Sequence, residues 1–108
     1  MKLEEITDNL KDCVDRYNNL SLTNDLHELS EILRDLGVNL SALVQHRNDA
    51  YRDWHSVYYN SQGKTNAAKE READNRVQEL YYIRQIHKYY GEMRNDIRSQ
   101  ISLHKKHD

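Results

Sequence analysis

Apolar residues recur along the chain at helical spacing. Leu3, Ile6, Leu10, Cys13, Tyr17 and Leu20 alternate three and four residues apart, the seam of a helix lying along another. Ser21 to Asn24 interrupt the seam, and Thr23 or Asn24 is suited to accept the free N–H groups of a new helix. Leu26, Leu29, Ile32, Leu33 and Leu36 then keep helical period as far as Gly37, a residue that favours the position just past a helix end. Asn39 reads as the cap of a third helix with Leu40, Leu43, Val44, Ala50, Tyr51, Trp54, Val57 and Tyr58 in one broad stripe. After the break Ser61-Gln62-Gly63-Lys64, Thr65 or Asn66 caps a fourth helix whose stripe runs Val77, Leu80, Ile83, Ile86, Tyr90, Met93, Ile97, Ile101.

The pattern therefore predicts an all-α fold in one domain, residues 1–108: a four-helix bundle or helical hairpin with a long C-terminal helix. The expected helices span about 3–20, 23–36, 40–60 and 66–104. At 1.5 Å per residue the third is ~30 Å long and the fourth ~60 Å, so the fourth outruns its hairpin partner. Its excess stripe must be covered by the first two helices, by a second copy or by a foreign protein. A homodimer is the favoured cover, with an antiparallel bundle within one chain close behind.

Composition agrees with helices and thins the core. The 108 residues hold no Pro, no Phe and three Gly, too few turn formers for a sandwich or barrel. Leu, Ile and Val number 23, just above the level of ~20% below which chains stay disordered. No apolar run nears the ~20 residues of a membrane span, and the start lacks the form of a secretory signal. The single Cys13 forms no internal disulfide, which suits a reducing compartment, so a cytoplasmic location is expected.

The net charge of −2 conceals an uneven distribution. Residues 1–36 carry net −5 and residues 37–108 net +3. The simplest expectation is that the acidic segment packs against the basic one as solvated, complementary helix faces.

Candidate chemistry is sparse. None of the six His has a Glu three residues before it, so the di-iron bundle signature is missing; His104, His107 and Asp108 form at most an adventitious chelate at a helix end. Gly63-Lys64-Thr65 ends like a phosphate-binding loop, but Tyr58 stands where the earlier glycine is required. Cys13 sits in the seam with no His near it in sequence, as a structural thiol does. No catalytic residue, cofactor, metal or small-molecule substrate is expected.

Binding surfaces are better supplied. Tyr51, Trp54, Tyr58 and Tyr59 cluster near the hairpin, and Tyr81, Tyr82 and Tyr89 decorate the fourth helix beside Tyr90. Adjacent helical residues point ~100° apart, so a Tyr-Tyr pair seldom buries both rings in a thin core, and Tyr and Trp are enriched at binding hot spots. These residues are the expected protein-binding set; the competing account is that the rings close the bundle or a homodimer. A nucleic-acid alternative draws on Arg84, Lys88, Arg94, Arg98, Lys105 and Lys106 interleaved with tyrosines, against an isoelectric point near 6.3. A DNA-reading helix-turn-helix over residues 29–48, turning at Leu36-Gly37-Val38, is the other nucleic-acid candidate, with Asn39, Ser41, Gln45, Arg47 and Asn48 opening its recognition helix.

From Tyr58 to Lys106 the chain resembles a loose class of phage-borne small helical proteins. The residues that carry the likeness are Ser61-Gln62-Gly63-Lys64-Thr65-Asn66-Ala67-Ala68-Lys69-Glu70-Arg71-Glu72-Ala73-Asp74 and Ile101-Ser102-Leu103. The resemblance implies an accessory factor of replication, recombination or anti-defence regions, acting in a host cytoplasm on a DNA-processing protein or a defence nuclease such as a CRISPR effector. It brings no functional residues with it.

Overall fold

A computed structural model of the chain describes residues 1–20 and 26–107, with the side chains of the last helix described as far as Leu103. The described residues form helices and no strands: α1 (Leu3–Asn18), α2 (Leu26–Tyr59), α3 (Asn66–Arg76) and α4 (Gln78–His107). The all-α expectation holds, but the helices divide differently. The expected start at Thr23 or Asn24 lies outside the described residues.

α2 is one helix of 34 residues where two were expected. Gly37 costs a helix interior ~1 kcal/mol relative to Ala, which weakens a helix without ending it. The aliphatic stripe decides the outcome. Leu29, Ile32, Leu36, Leu40 and Leu43 are all buried at spacings of three, four, four and three, so the stripe passes Gly37 without losing phase. Asn39 is accordingly no cap: it is 6% exposed, donates from Nδ2 to Asp35 O at 2.8 Å, and accepts from Asn9 Nδ2 at 3.0 Å. With no turn at residues 36–38, the helix-turn-helix does not exist, and Ser41, Gln45 and Asn48 stand mid-helix in solvent.

The expected fourth helix divides in the opposite sense. Its chain leaves helical geometry at Val77 (φ −118°, ψ 56°), so α3 and α4 are separate. α3 lies against the aromatic end of α2, where Trp54 and Tyr58 bond Asp74 and Asn66, and α4 begins one residue past the break. The start of α3 is as expected: Thr65 Oγ1 accepts from Ala68 N at 3.1 Å. Gly63 is needed there for space, since a Cβ would stand 3.0 Å from the Ala68 Cβ and 3.2 Å from Lys69 N.

α2 is the spine of the assembly. α1 lies antiparallel on its first half, with Arg16 Nη2 on Asp35 Oδ2 at 2.8 Å, Asn9 on Asn39, and His46 Nε2 2.8 Å from Met1 O. α3 and α4 return along it, as shown by Trp54 Nε1 donating to Asp74 Oδ1 at 2.8 Å and by Arg94 lying over Gly37. α1 and α4 thus run parallel, joined where Gln100 Nε2 donates to Tyr17 OH.

The result is a rod of 62 × 26 × 17 Å with a radius of gyration of 18.3 Å, against ~13 Å for a compact domain of this size. It is three helices thick along α1 and two thick at the aromatic end. Ile6, Leu10 and Cys13 meet Ile83, Ile86, Tyr90 and Ile97 over the stripe of α2. The α4 stripe is therefore covered within the chain, and the ground for expecting a homodimer through that stripe falls away.

The continuity of α2 has a measurable consequence. A Cβ at Gly37 meets only the flexible Arg94 guanidinium, at 3.6 Å or more, and one at Gly91 meets nothing within 4 Å. Gly37→Ala and Gly91→Ala should each stabilise the fold by about 0.5–1 kcal/mol in urea unfolding. Destabilisation by Gly37→Ala would restore the helix end at that position.

Candidate binding faces

The aromatic end is built by the last turns of α2. Tyr51, His55 and Tyr59, four residues apart, stack in a column with centroids 6.4 and 6.2 Å apart. Trp54 and Tyr58 stack beside it at 5.4 Å and 12°. These rings are engaged internally. Trp54 bonds Asp74, Tyr58 OH donates to Asn66 Oδ1 at 3.2 Å, Lys69 Nζ lies 5.9 Å from the Tyr58 ring, and Arg84 lies 5.8 Å from the Tyr51 ring. Of the four residues expected to bind a partner here, Tyr51, Trp54 and Tyr58 are half-buried packing residues, and Tyr59 alone is open, at 76% exposure.

The second face is the edge where α4 meets α1. Tyr82 and Tyr89, seven residues apart and so on one stripe, are 50% and 60% exposed, while Tyr90 turns inward at 8%. Burial, then the neighbouring Tyr89 and Tyr82, push the Tyr90 hydroxyl pKa up. Tyr89 rims a recess of about 260 Å³ floored by Val14, Tyr17 and Met93, with Glu92 and Asp96 on its lip. Tyr81, a quarter-turn away, belongs to a different recess with Val77, Leu80 and Arg84.

The third face is the α2–α4 groove on the side away from α1. Spacings of four, three and seven put Arg84, Lys88, Gly91 and Arg98 on one stripe. Arg94 lies on the α2 side of it, its guanidinium 3.6 Å from where a Gly37 Cβ would stand and its Nε buried without a hydrogen-bond partner. A recess of about 410 Å³ opens here between Gly37, Ser41 and Val44 of α2 and Lys88, Gly91 and Arg94 of α4, with one acid, Glu92, also in its lining. Arg94 also walls the adjoining recess, which holds Arg34 and Val38. Among the described residues, Arg84, Lys88, Arg94 and Arg98 form no ion pair, so the expected packing of acidic on basic segment is not formed through them. Lys105 and Lys106 lie outside the described side chains.

Sequence reasoning passed over the groove itself. Its signal was Gly37 and Gly91, two helical glycines that share one groove only if α2 runs on through the first. No group of three His, Cys, Asp or Glu suited to a metal occurs among the described residues. Burial pushes the Cys13 thiol pKa up, which keeps it protonated within the core. No helix among the described residues is long and apolar enough to cross a membrane. Comparison with protein-family models, curated proteins and solved structures finds no match to the chain.

His87 gives the groove a pH signature. Burial, and next the charge of Arg47, lower its pKa from 6.5. The folded state therefore resists protonation while the unfolded chain takes up a proton readily, so this contribution is present above the ordinary His value and lost as pH falls through it. Between about pH 8 and 5, urea midpoints should fall, and His87→Gln should flatten that fall. An unchanged slope would exclude His87 as its source.

Proposed function

We propose that the chain is a non-enzymatic helical protein that acts by binding a protein partner through the α1–α4 edge. One observation carries this reading: Tyr82 and Tyr89 stand half or more exposed on a single helical stripe, and Tyr89 rims a recess lined by Val14, Tyr17 and Met93. Tyrosine supplies large, rigid contact area with a polar tip, and Val14, Tyr17 and Met93 offer the pocket that an anchoring side chain fills. Glu92 and Asp96 favour a partner that brings a basic group to the rim. The likeness of residues 58–106 to phage-borne accessory proteins supports a phage setting, with a recombination or replication protein, or a host defence nuclease, as the target.

A second reading, direct DNA or RNA binding, is supported by the basic row Arg84, Lys88, Arg94 and Arg98. Capture from host lysate, with and without nuclease, separates the two. On the first reading a protein is retained after nuclease treatment. Tyr82→Ala and Tyr89→Ala should each weaken its capture by about tenfold or more at unchanged helical content. Retention by both variants removes the tyrosine edge. On the second reading Arg94→Ala with Arg98→Ala weakens binding to all sequences and flattens its salt dependence.

A further inference from the structure

We propose that the basic α2–α4 groove receives the acidic outer face of α1 from a second copy of the chain, so that copies associate face to groove. The two surfaces lie on opposite sides of the rod and are of similar length. Glu4, Glu5, Asp8, Asp12 and Asp15 are exposed along α1 over 12 residues, ~16 Å, with Lys11 the one base among them; Arg84 to Arg98 cover 15 residues, ~21 Å. The acids follow the three- and four-residue spacings of a helix face, while Arg84, Lys88 and Arg98 share the stripe of Gly91 and Arg94 is set toward α2. Both rows are also largely unneutralised at home. Of the acids only Asp12 forms an ion pair among the described residues, at 3.8 Å from Arg16 Nε, and the four bases form none.

The floor of the groove points to close approach. Gly37 and Gly91 face the same recess, each costing its helix ~1 kcal/mol, yet the chain's own packing requires neither. Small residues let another helix lie near the backbone. A closed two-fold dimer through this groove would set base against base. An acid face on a basic groove leaves both surfaces of each pair free to repeat the contact, so assembly is open-ended. Nucleic acid competes for the same bases, but it has no counterpart on the chain, whereas the acidic row does.

Sedimentation velocity on the whole chain tests this. At ~0.01 M ionic strength, where charges act over ~30 Å, species heavier than the 12.9 kDa monomer should form with rising concentration; at ~1 M, where they act over ~3 Å, they should disperse. Lys88→Glu with Arg98→Glu, and separately Asp8→Lys with Asp15→Lys, should each weaken self-association at least ~10-fold. An equimolar mixture of the two variants should recover it. Glu70→Lys with Glu79→Lys, which shifts net charge by as much as the acidic-face variant at a site outside both faces, should by itself associate as the unaltered chain does. Gly91→Leu should block association at full helicity. A monomer at every salt concentration overturns the proposal, as does association that survives both reversals. So does binding of a labelled oligothymidine in the groove at low salt without self-association.

Discussion

Everything in this rod hangs on the unbroken aliphatic stripe of α2. Leu29, Ile32, Leu36, Leu40 and Leu43 present one surface long enough for α1 to lie on one flank and α4 on the other. Had the helix ended at Gly37, two short helices would have had to cross, and no face would run the length of the molecule. The stripe sets the line but not the register. That is fixed by the amide pair of Asn9 and Asn39, because a buried amide tolerates few placements. Arg16 on Asp35, two turns further along α1, holds the same alignment at the surface.

Residues whose local and tertiary preferences agree were legible in the sequence. The α1 seam, the Thr65 cap and the α4 stripe all came through, because periodicity and capping there ask for what the packing also wants. Gly37 and Asn39 failed as a pair. Each favours a helix terminus in isolation, but Leu36 and Leu40 straddle them in phase, and burying both outweighs one poor helix former. The division at Val77 had no local signal: neither glycine nor proline stands there, and Val77 keeps phase with the apolar stripe that continues into α4.

The binding faces were legible in part for the same reason. That Tyr89 and Tyr90 would part, one outward and one inward, follows from helical geometry alone, and so does the alignment of Arg84, Lys88 and Arg98. Which rings stay open does not. Trp54 and Tyr58 take contacts from Asp74, Asn66 and Lys69 of α3, which their own stretch of sequence does not announce. An aromatic cluster near a hairpin is claimed first by the returning helix, whereas aromatics on the outer edge of a bundle have no such claimant.

The same geometry changes what the small net charge means. The sequence divides its charge between an early acidic and a later basic segment, and folding could have cancelled the two by laying one on the other. Instead α1 turns its apolar seam to the α2–α4 pair and its acids to solvent, while Arg84, Lys88 and Arg98 line the far side. Even the shortest dimension of the rod, 17 Å, exceeds the screening length of ~10 Å at 0.1 M salt. Each face therefore presents its own sign to whatever approaches, and the molecule behaves as two oppositely charged surfaces bordered by a tyrosine edge. At that salt concentration an approaching partner meets one face's charge and not the near-neutral total.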